Sequence, residues 1–234
     1  MNKEIRLCGK MEMAKYEPYH YRNDELTLKV QQEEKYVKFN KWCEENGVIA
    51  PDCEYPVVFG DGLIGVGAKR HLGGLKAYIF IPNKMLITEE LVWNSEIGYV
   101  LRENEDLFTD HANSEYFILI AFIIFEKLKG GSSFWQPYFD IATPSDLPYK
   151  WTQDEIDSLE DQLLIAEITQ YREDAQEEYV NFNSLMKYPE FANMTRDMFF
   201  DTYDMVVSRC FGWSLPGTMM IPYADLANHH NSDT

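Results

Sequence analysis

The sequence predicts an α+β fold in which a small β region is interrupted by a long helical stretch before extended structure resumes. Three observations predict it. Short apolar runs punctuated by glycine fill residues 55–82. Apolar residues then recur at helical spacing over residues 85–208. After Arg209 the pattern turns extended again, through Thr218-Met-Met-Ile-Pro-Tyr223.

Each element has a local reason. Residues 1–34 are polar, charged and rich in tyrosine, and read as a loosely held arm. From Tyr36 to Gly47, the positions Val37, Phe39, Trp42 and Cys43 fit a short helix, and Gly47 sits where a helix stop belongs. Tyr55–Phe59, Ile64–Ala68 and Tyr78–Pro82 read as strands. Asn113 or Ser114 is placed to cap a helix over Tyr116–Leu128, and Gly130-Gly131 stop it. Thr152-Gln-Asp-Glu155 is a capping-box pattern. It opens a stretch in which Ile156, Leu159, Leu163, Ala166, Ile168 and Tyr171 recur at helical spacing, and Pro189 closes that region. Thr195 is placed to cap a last helix through Met198, Phe199, Met205 and Val206.

The composition excludes several function classes. The 234 residues carry 21 Lys+Arg against 39 Asp+Glu, a formal charge of −18. Non-specific nucleic-acid binding needs the opposite balance, and so does a helix lying on anionic lipid. With 45% hydrophobic and 15% aromatic residues the chain is able to bury a core. Cys8, Cys43, Cys53 and Cys210 form no CxxC pair, and His111 is distant in sequence, so no metal site is expected. So few cysteines fit a reducing compartment. The N-terminus has no apolar signal core. The longest apolar run, Tyr116–Phe125, is about half of the roughly 20 residues that a membrane span needs. A soluble intracellular protein is the expectation, cytoplasmic and compatible with nuclear or cytoskeletal association.

Three segments invite chemistry. Gly60-Asp-Gly62-Leu-Ile-Gly65 matches the dinucleotide fingerprint GxGxxG, which works only where the last glycine opens a helix. Here Val66-Gly67-Ala-Lys-Arg-His-Leu-Gly73-Gly74 follows, too glycine-rich for a helix. These glycines instead suit turns, bulges or close backbone approach to a ligand. Ile221–His230 reads as an edge strand running into a polar turn, with Asn and His satisfied locally; its neighbouring histidines suggest a metal, but adjacent side chains on a strand point apart. Arg209, at a helix end, either faces the helix dipole or binds a carboxylate through its planar fork. Cys210 reads as a small buried hydrophobe.

The order of the features then matters. Gly65-Val-Gly-Ala-Lys-Arg70 precedes a strand ending in Ile81-Pro82, followed by Asn94-Ser-Glu-Ile-Gly98, Ser133-Phe-Trp-Gln-Pro-Tyr138, Leu147-Pro148 and Trp151. Ser208-Arg209-Cys-Phe211 and Pro222-Tyr-Ala-Asp225-Leu-Ala-Asn228-His229 close the series. This series resembles SET-domain methyltransferases of the Rubisco large-subunit methyltransferase type, which include the actin-histidine methyltransferase. The resemblance covers about residues 36–234.

The resemblance implies a SET β core split by an all-helical insert. It divides the chain into an N-terminal arm (1–35), the first part of the core (36–85), the insert (86–207) and the start of the second core segment (208–234). It implies S-adenosylmethionine as cofactor, with Glu96, Ile97 and Gly98 lying against it and Arg209 pairing with its carboxylate. Asp225, Asn228 and His229 would contact it near the adenine, and the turn at Gly65–Gly67 would let the chain approach it. Some relatives carry Arg where this chain has Gly67. Phe211 and Ala224 would line the acceptor channel, and both match lysine-modifying rather than histidine-modifying relatives. Relatives place a tyrosine after the Asn-His motif, whereas this chain stops at Thr234, five residues beyond His229. No catalytic residue is therefore assigned within it. The expectation is a protein-lysine N-methyltransferase represented in part and inactive as residues 1–234. The alternative is a non-catalytic SET-derived structural or adaptor subunit of a larger assembly. In either case the expected partner is a protein, without nucleic acid or membrane.

Overall fold

The computed structural model describes residues 21–229 except 61, 75, 110, 112, 144–146, 213 and 214. The first part of the expected arm, with Cys8, lies outside the described residues, as do Asp61 of the glycine motif and His230–Thr234. The chain forms two compact units. One takes in residues up to Leu86 together with those from Ile221 on, and the other is Ile87–Met220.

The first unit is built on an antiparallel hairpin of β1 (Cys53–Phe59) and β2 (Leu63–Ala68), preceded by α1 (Asp24–Val30) and α2 (Glu34–Asn46). The expectation of a loose arm fails over α1. Asn23 accepts from the Leu26 amide at 3.1 Å and donates its own amide to the Val58 carbonyl at 2.8 Å. Thr27, fully buried, accepts from the Val58 amide at 3.0 Å. Helix and strand thus satisfy each other's backbone groups, a gain that composition does not announce. In α2 the side chains of Tyr36, Phe39, Trp42 and Cys43 are buried, and Gly47 ends the helix at φ 90°, a conformation that glycine adopts without strain. The core is aromatic: Tyr55 meets Tyr36 and Phe39 edge-on, each at 5.6 Å between centroids, and Tyr223 stacks on Phe39 at 6.3 Å. The expected strand at 78–82 is reduced to a single bridge, Phe80 with Ile49. Pro82 lacks a donor, and no neighbouring residue of the stretch extends the pairing.

The second unit is helical apart from β3 (Ile87–Thr88), which pairs antiparallel with β4 (Met219–Met220). Between them run α3 (Glu89–Trp93), α4 (Gly98–Arg102), α5 (Glu105–Phe108), α6 (Ser114–Leu128), α7 (Gln136–Phe139), α8 (Gln153–Asp157), α9 (Gln162–Phe182) and α10 (Arg196–Arg209). Helix α6 is buried on every side from Phe117 to Glu126, which is why its sequence is apolar all round. None of the described helices is long and apolar enough to cross a membrane. Asn113 stands at the N-cap of α6 without a side-chain cap bond, and its amide donates to buried Glu178 at 2.8 Å. The Thr152–Glu155 capping box forms as expected. The periodic stretch after it is two helices rather than one. Glu160 takes a left-handed φ of 56°, and Asp161 caps α9 by accepting from the Leu163 and Leu164 amides. Thr195 caps α10 through the Met198 amide.

One charge in this unit is costly. Burial pushes the Lys127 ammonium down to about 8 against the pull of Asp201, and its Nζ donates to Thr202 at 3.0 Å. The unfolded chain holds that proton more tightly, so charged Lys127 opposes folding below pH 8. The penalty fades as pH rises from about 8 to the ordinary 10.5. Lys127→Met is therefore expected to stabilise the protein by about 1–3 kcal/mol at pH 7, with the gain shrinking toward pH 10.5. Chemical denaturation at pH 7 and 10 checks this; a loss of stability at pH 7 would contradict it.

Candidate functional site

The expected site residues fall on both units. On the helical unit, Thr88 caps α3 by accepting from the Leu91 amide at 3.2 Å. The chain turns at Asn94, and the Ser95 hydroxyl donates to the Val92 carbonyl at 2.7 Å. This turn sets Glu96 outward and Ile97 fully inward. Gly98 opens α4 and is buried. A Cβ there would collide with the Trp93 carbonyl, a backbone group that cannot swing aside. Gly98→Ala is expected to cost about 1–3 kcal/mol. Gly131→Ala, which meets open space, should stay within about 0.5 kcal/mol of the parent. Urea midpoints of the two variants make the comparison.

Glu96 reaches a polar network that the sequence did not signal. Lys129 lies 3.5 Å from Glu96 and 2.7 Å from buried Glu126, and its ammonium sits over the Phe125 ring at 4.0 Å. The Ser133 hydroxyl donates to the other Glu126 oxygen at 2.6 Å. Ser133 opens the Ser-Phe-Trp-Gln-Pro-Tyr segment, so that motif anchors the buried carboxylate.

Arg209 ends α10, where a cation complements the helix dipole, and its Nη2 donates to the Thr143 carbonyl at 3.2 Å. Next to it, the Cys210 thiol is pushed up, chiefly by burial, which makes it a poor nucleophile at neutral pH. Phe211 exchanges two 2.8 Å backbone bonds with Met219, which leaves its ring about one-third exposed.

On the other unit, Tyr223 adopts φ 81°, strained for a bulky residue, and leads into the short turn Ala224–Leu226. Burial raises its hydroxyl to about 12. Half-buried Asp225 acts electrostatically on Cys43, whose thiol is raised to about 12 by burial first and by Asp225 second. Asn228 and His229 are exposed. The Asn228 amide donates to the Ile64 carbonyl at 3.4 Å and lies where a Gly65 Cβ would be. Gly65 is therefore a seat for Asn228, inside β2 rather than at the start of a helix. Gly67 likewise makes room for Val57.

The structure thus joins Gly65 to Asn228, and Phe211 to the β4 strand. Arg209 and Glu96 belong to separate local networks on the helical unit, while Ala224, Asp225, Asn228 and His229 lie on the other unit. The Thr143 carbonyl, the Lys129–Glu126–Ser133 network and the strained Tyr223 had not been anticipated. Only the last had any signal, its place between Pro222 and the Asp-Asn-His stretch. Among the described residues no cluster of His, Cys, Asp or Glu is arranged to hold a metal ion.

No family model matches the chain. The human actin-histidine N-methyltransferase is 26% identical over 220 residues, covering 88% of this chain and 36% of that protein. The chloroplastic fructose-bisphosphate aldolase lysine N-methyltransferase of Arabidopsis thaliana is 27% identical over 201 residues, covering 82% of this chain and 39% of that protein. The chain thus spans little more than a third of the length of these relatives. Among solved structures, the SET domain of LSMT bound to lysine and AdoHcy superposes with a TM-score of 0.69 at 25% identity, covering 86% of this chain and 44% of that one. Rubisco LSMT bound to AdoMet gives 0.68 at 25% identity, covering 85% and 45%. In sequence and in its mixed helix and sheet, this chain resembles SET-domain methyltransferases of the Rubisco LSMT and actin-histidine type.

Proposed function

We propose that this chain is part of an S-adenosylmethionine-dependent protein methyltransferase that modifies lysine. The superposition on the SET domain of LSMT over 86% of the chain carries the reading. In this reading residues 86–207 form the helical insert of the SET core, nearly all of them within the compact unit Ile87–Met220. Each unit has chemistry suited to the cofactor: on one an arginine ends α10, and on the other Asn228 is seated against Gly65 with exposed His229 beside it in sequence. When bound, S-adenosylmethionine supplies a methyl group on a sulfonium, already an activated leaving group.

Arg209 would pair with the carboxylate through its planar fork. Glu96, Ile97 and Gly98 would lie against the cofactor, and Asp225, Asn228 and His229 would take its adenine side. Phe211 would wall the acceptor channel with an apolar ring. That suits the stem of a lysine and offers an imidazole no hydrogen-bond partner. Ala224 would leave the channel wide. A desolvated channel favours the neutral amine that attack requires.

Calorimetry with S-adenosylmethionine tests the cofactor assignment. Arg209→Ala is expected to weaken binding by about 1.5–3 kcal/mol, on the order of 10- to 100-fold, because a charge-assisted partner is removed. Unchanged affinity would count against it, and no binding by the parent protein would favour a structural role. Mass-spectrometric mapping of the methylated product tests the acceptor: a modified histidine would overturn lysine.

A further inference from the structure

The network behind Glu96 holds one cation in a fixed place. Lys129 stands at the C-cap of α6, where a positive charge complements the helix dipole. Its backbone is tied on both sides. The amide donates to the Glu126 carbonyl at 3.1 Å, and the carbonyl accepts from the Ser132 hydroxyl at 2.9 Å. Gly130 follows with a left-handed φ of 55°, so the helix stops there. The side chain is pinned as well. Its ammonium lies over the buried Phe125 ring and 2.7 Å from buried Glu126, each about one turn back on the helix. Glu126 is held in turn by the Ser133 hydroxyl.

Glu96 is the outer end of this network. Its side chain is exposed, and among the described residues its carboxylate meets only Lys129, at 3.5 Å. An exposed ion pair is ordinarily weak because two long side chains must be ordered to make it. Here one of the two is ordered already, so the pair costs the freedom of Glu96 alone. The backbone of the 94–98 turn does not depend on it. The Gly98 amide donates to the Ser95 carbonyl at 3.0 Å, and Arg102 donates to the Trp93 carbonyl at 3.2 Å. Breaking the pair therefore releases the Glu96 carboxylate and leaves the turn in place.

We propose that Lys129 is a positioning residue for the cofactor: it aims the Glu96 side chain, and Glu96 meets S-adenosylmethionine already oriented. The inference rests on the reading that Glu96–Gly98 lie against the cofactor. A side chain oriented in advance is spared the cost of being ordered on binding, which raises affinity without a new contact. Lys129 acts through Glu96, since its own ammonium is held by Glu126 and Phe125. The Ser-Phe-Trp-Gln-Pro-Tyr segment then serves the cofactor at one remove, through Ser133, Glu126 and Lys129.

The test is a double-mutant cycle on the whole chain, read as S-adenosylmethionine affinity by calorimetry. Lys129→Met is expected to weaken binding about 3- to 5-fold in the parent, the reach of one ion pair. With Glu96→Gln already in place, the same change should alter affinity by no more than about 1.5-fold. Lys129→Gln, which keeps a donor for Glu126, should show the same pattern. Lys41→Met breaks an exposed pair with Glu45 on α2 and should leave affinity within about 1.5-fold of the parent. Lys129→Met also takes a cation from buried Glu126, but a loss arising there would persist whether residue 96 is Glu or Gln. Equal losses in the two backgrounds, or parent-like affinity of Lys129→Met, would overturn the positioning role while the cofactor reading stands. No binding by the parent would overturn that reading, and the proposal with it.

Discussion

Asp204→Ala is expected to destabilise the protein by about 1–3 kcal/mol, because it leaves the buried Tyr149 hydroxyl without its acceptor and deprives exposed Lys150 of its nearer carboxylate. Asp204 is fully buried in α10. It accepts from the Tyr149 hydroxyl and pairs with Lys150, and so ties the 148–150 turn to the helix. Burial, and then the bond to Asp204, raise the Tyr149 hydroxyl well above its ordinary value, so it remains a donor at neutral and mildly alkaline pH. Tyr149 in turn meets Tyr171 of α9 edge-on at 5.1 Å. One carboxylate therefore organises three segments. Asp204→Asn keeps an acceptor for Tyr149 while discarding the ion pair, and should lose less than the alanine variant. Urea denaturation at neutral pH measures both. A loss below about 1 kcal/mol for Asp204→Ala would show that the cluster contributes little.

Phe182→Ala is expected to cost about 3–5 kcal/mol, the range for emptying a large buried aromatic site. Phe182 is the last residue of α9 and is 0% exposed. Its ring meets those of Phe199 at 5.2 Å, Phe117 at 5.9 Å, Phe108 at 6.3 Å and Phe191 at 6.4 Å. Those rings come from α10, α6, α5 and the 189–191 turn, so the cavity would open where four elements converge. Backbone rigidity there leaves little room to collapse, which places the cost at the upper end of core truncations. Phe182→Leu should recover much of it, since an apolar volume of similar reach remains. A thermal shift for Phe182→Ala no larger than that for Phe182→Leu would refute this account.

Much of the chain was legible in its residues. The Thr152–Glu155 box, the Thr195 cap, the left-handed Gly47 and the buried run of α6 all appear where the sequence places them. Each rests on side chains within about four residues of the backbone they serve, or on a periodicity that one helix face imposes. The breaks in legibility are equally specific. Helix α1 forms because Thr27 and Asn23 meet the Val58 backbone, and among the described residues the stretch at 78–82 pairs only through Phe80, with Ile49. The site divides in the same way. Motif order pointed to Arg209, Glu96–Gly98 and Asp225–His229. That Asn228 rests on Gly65 beside Ile64, 164 residues away, and that Arg209 bonds Thr143 across 66 residues, came from the folded chain alone. Caps, stops and periodicities are settled by neighbours along the chain, so residue order reveals them. The partner of a buried carboxylate and the occupant of a glycine's empty side depend on which distant segments pack together. That packing is the sum of many small burial and hydrogen-bonding terms, and no short stretch of sequence contains it.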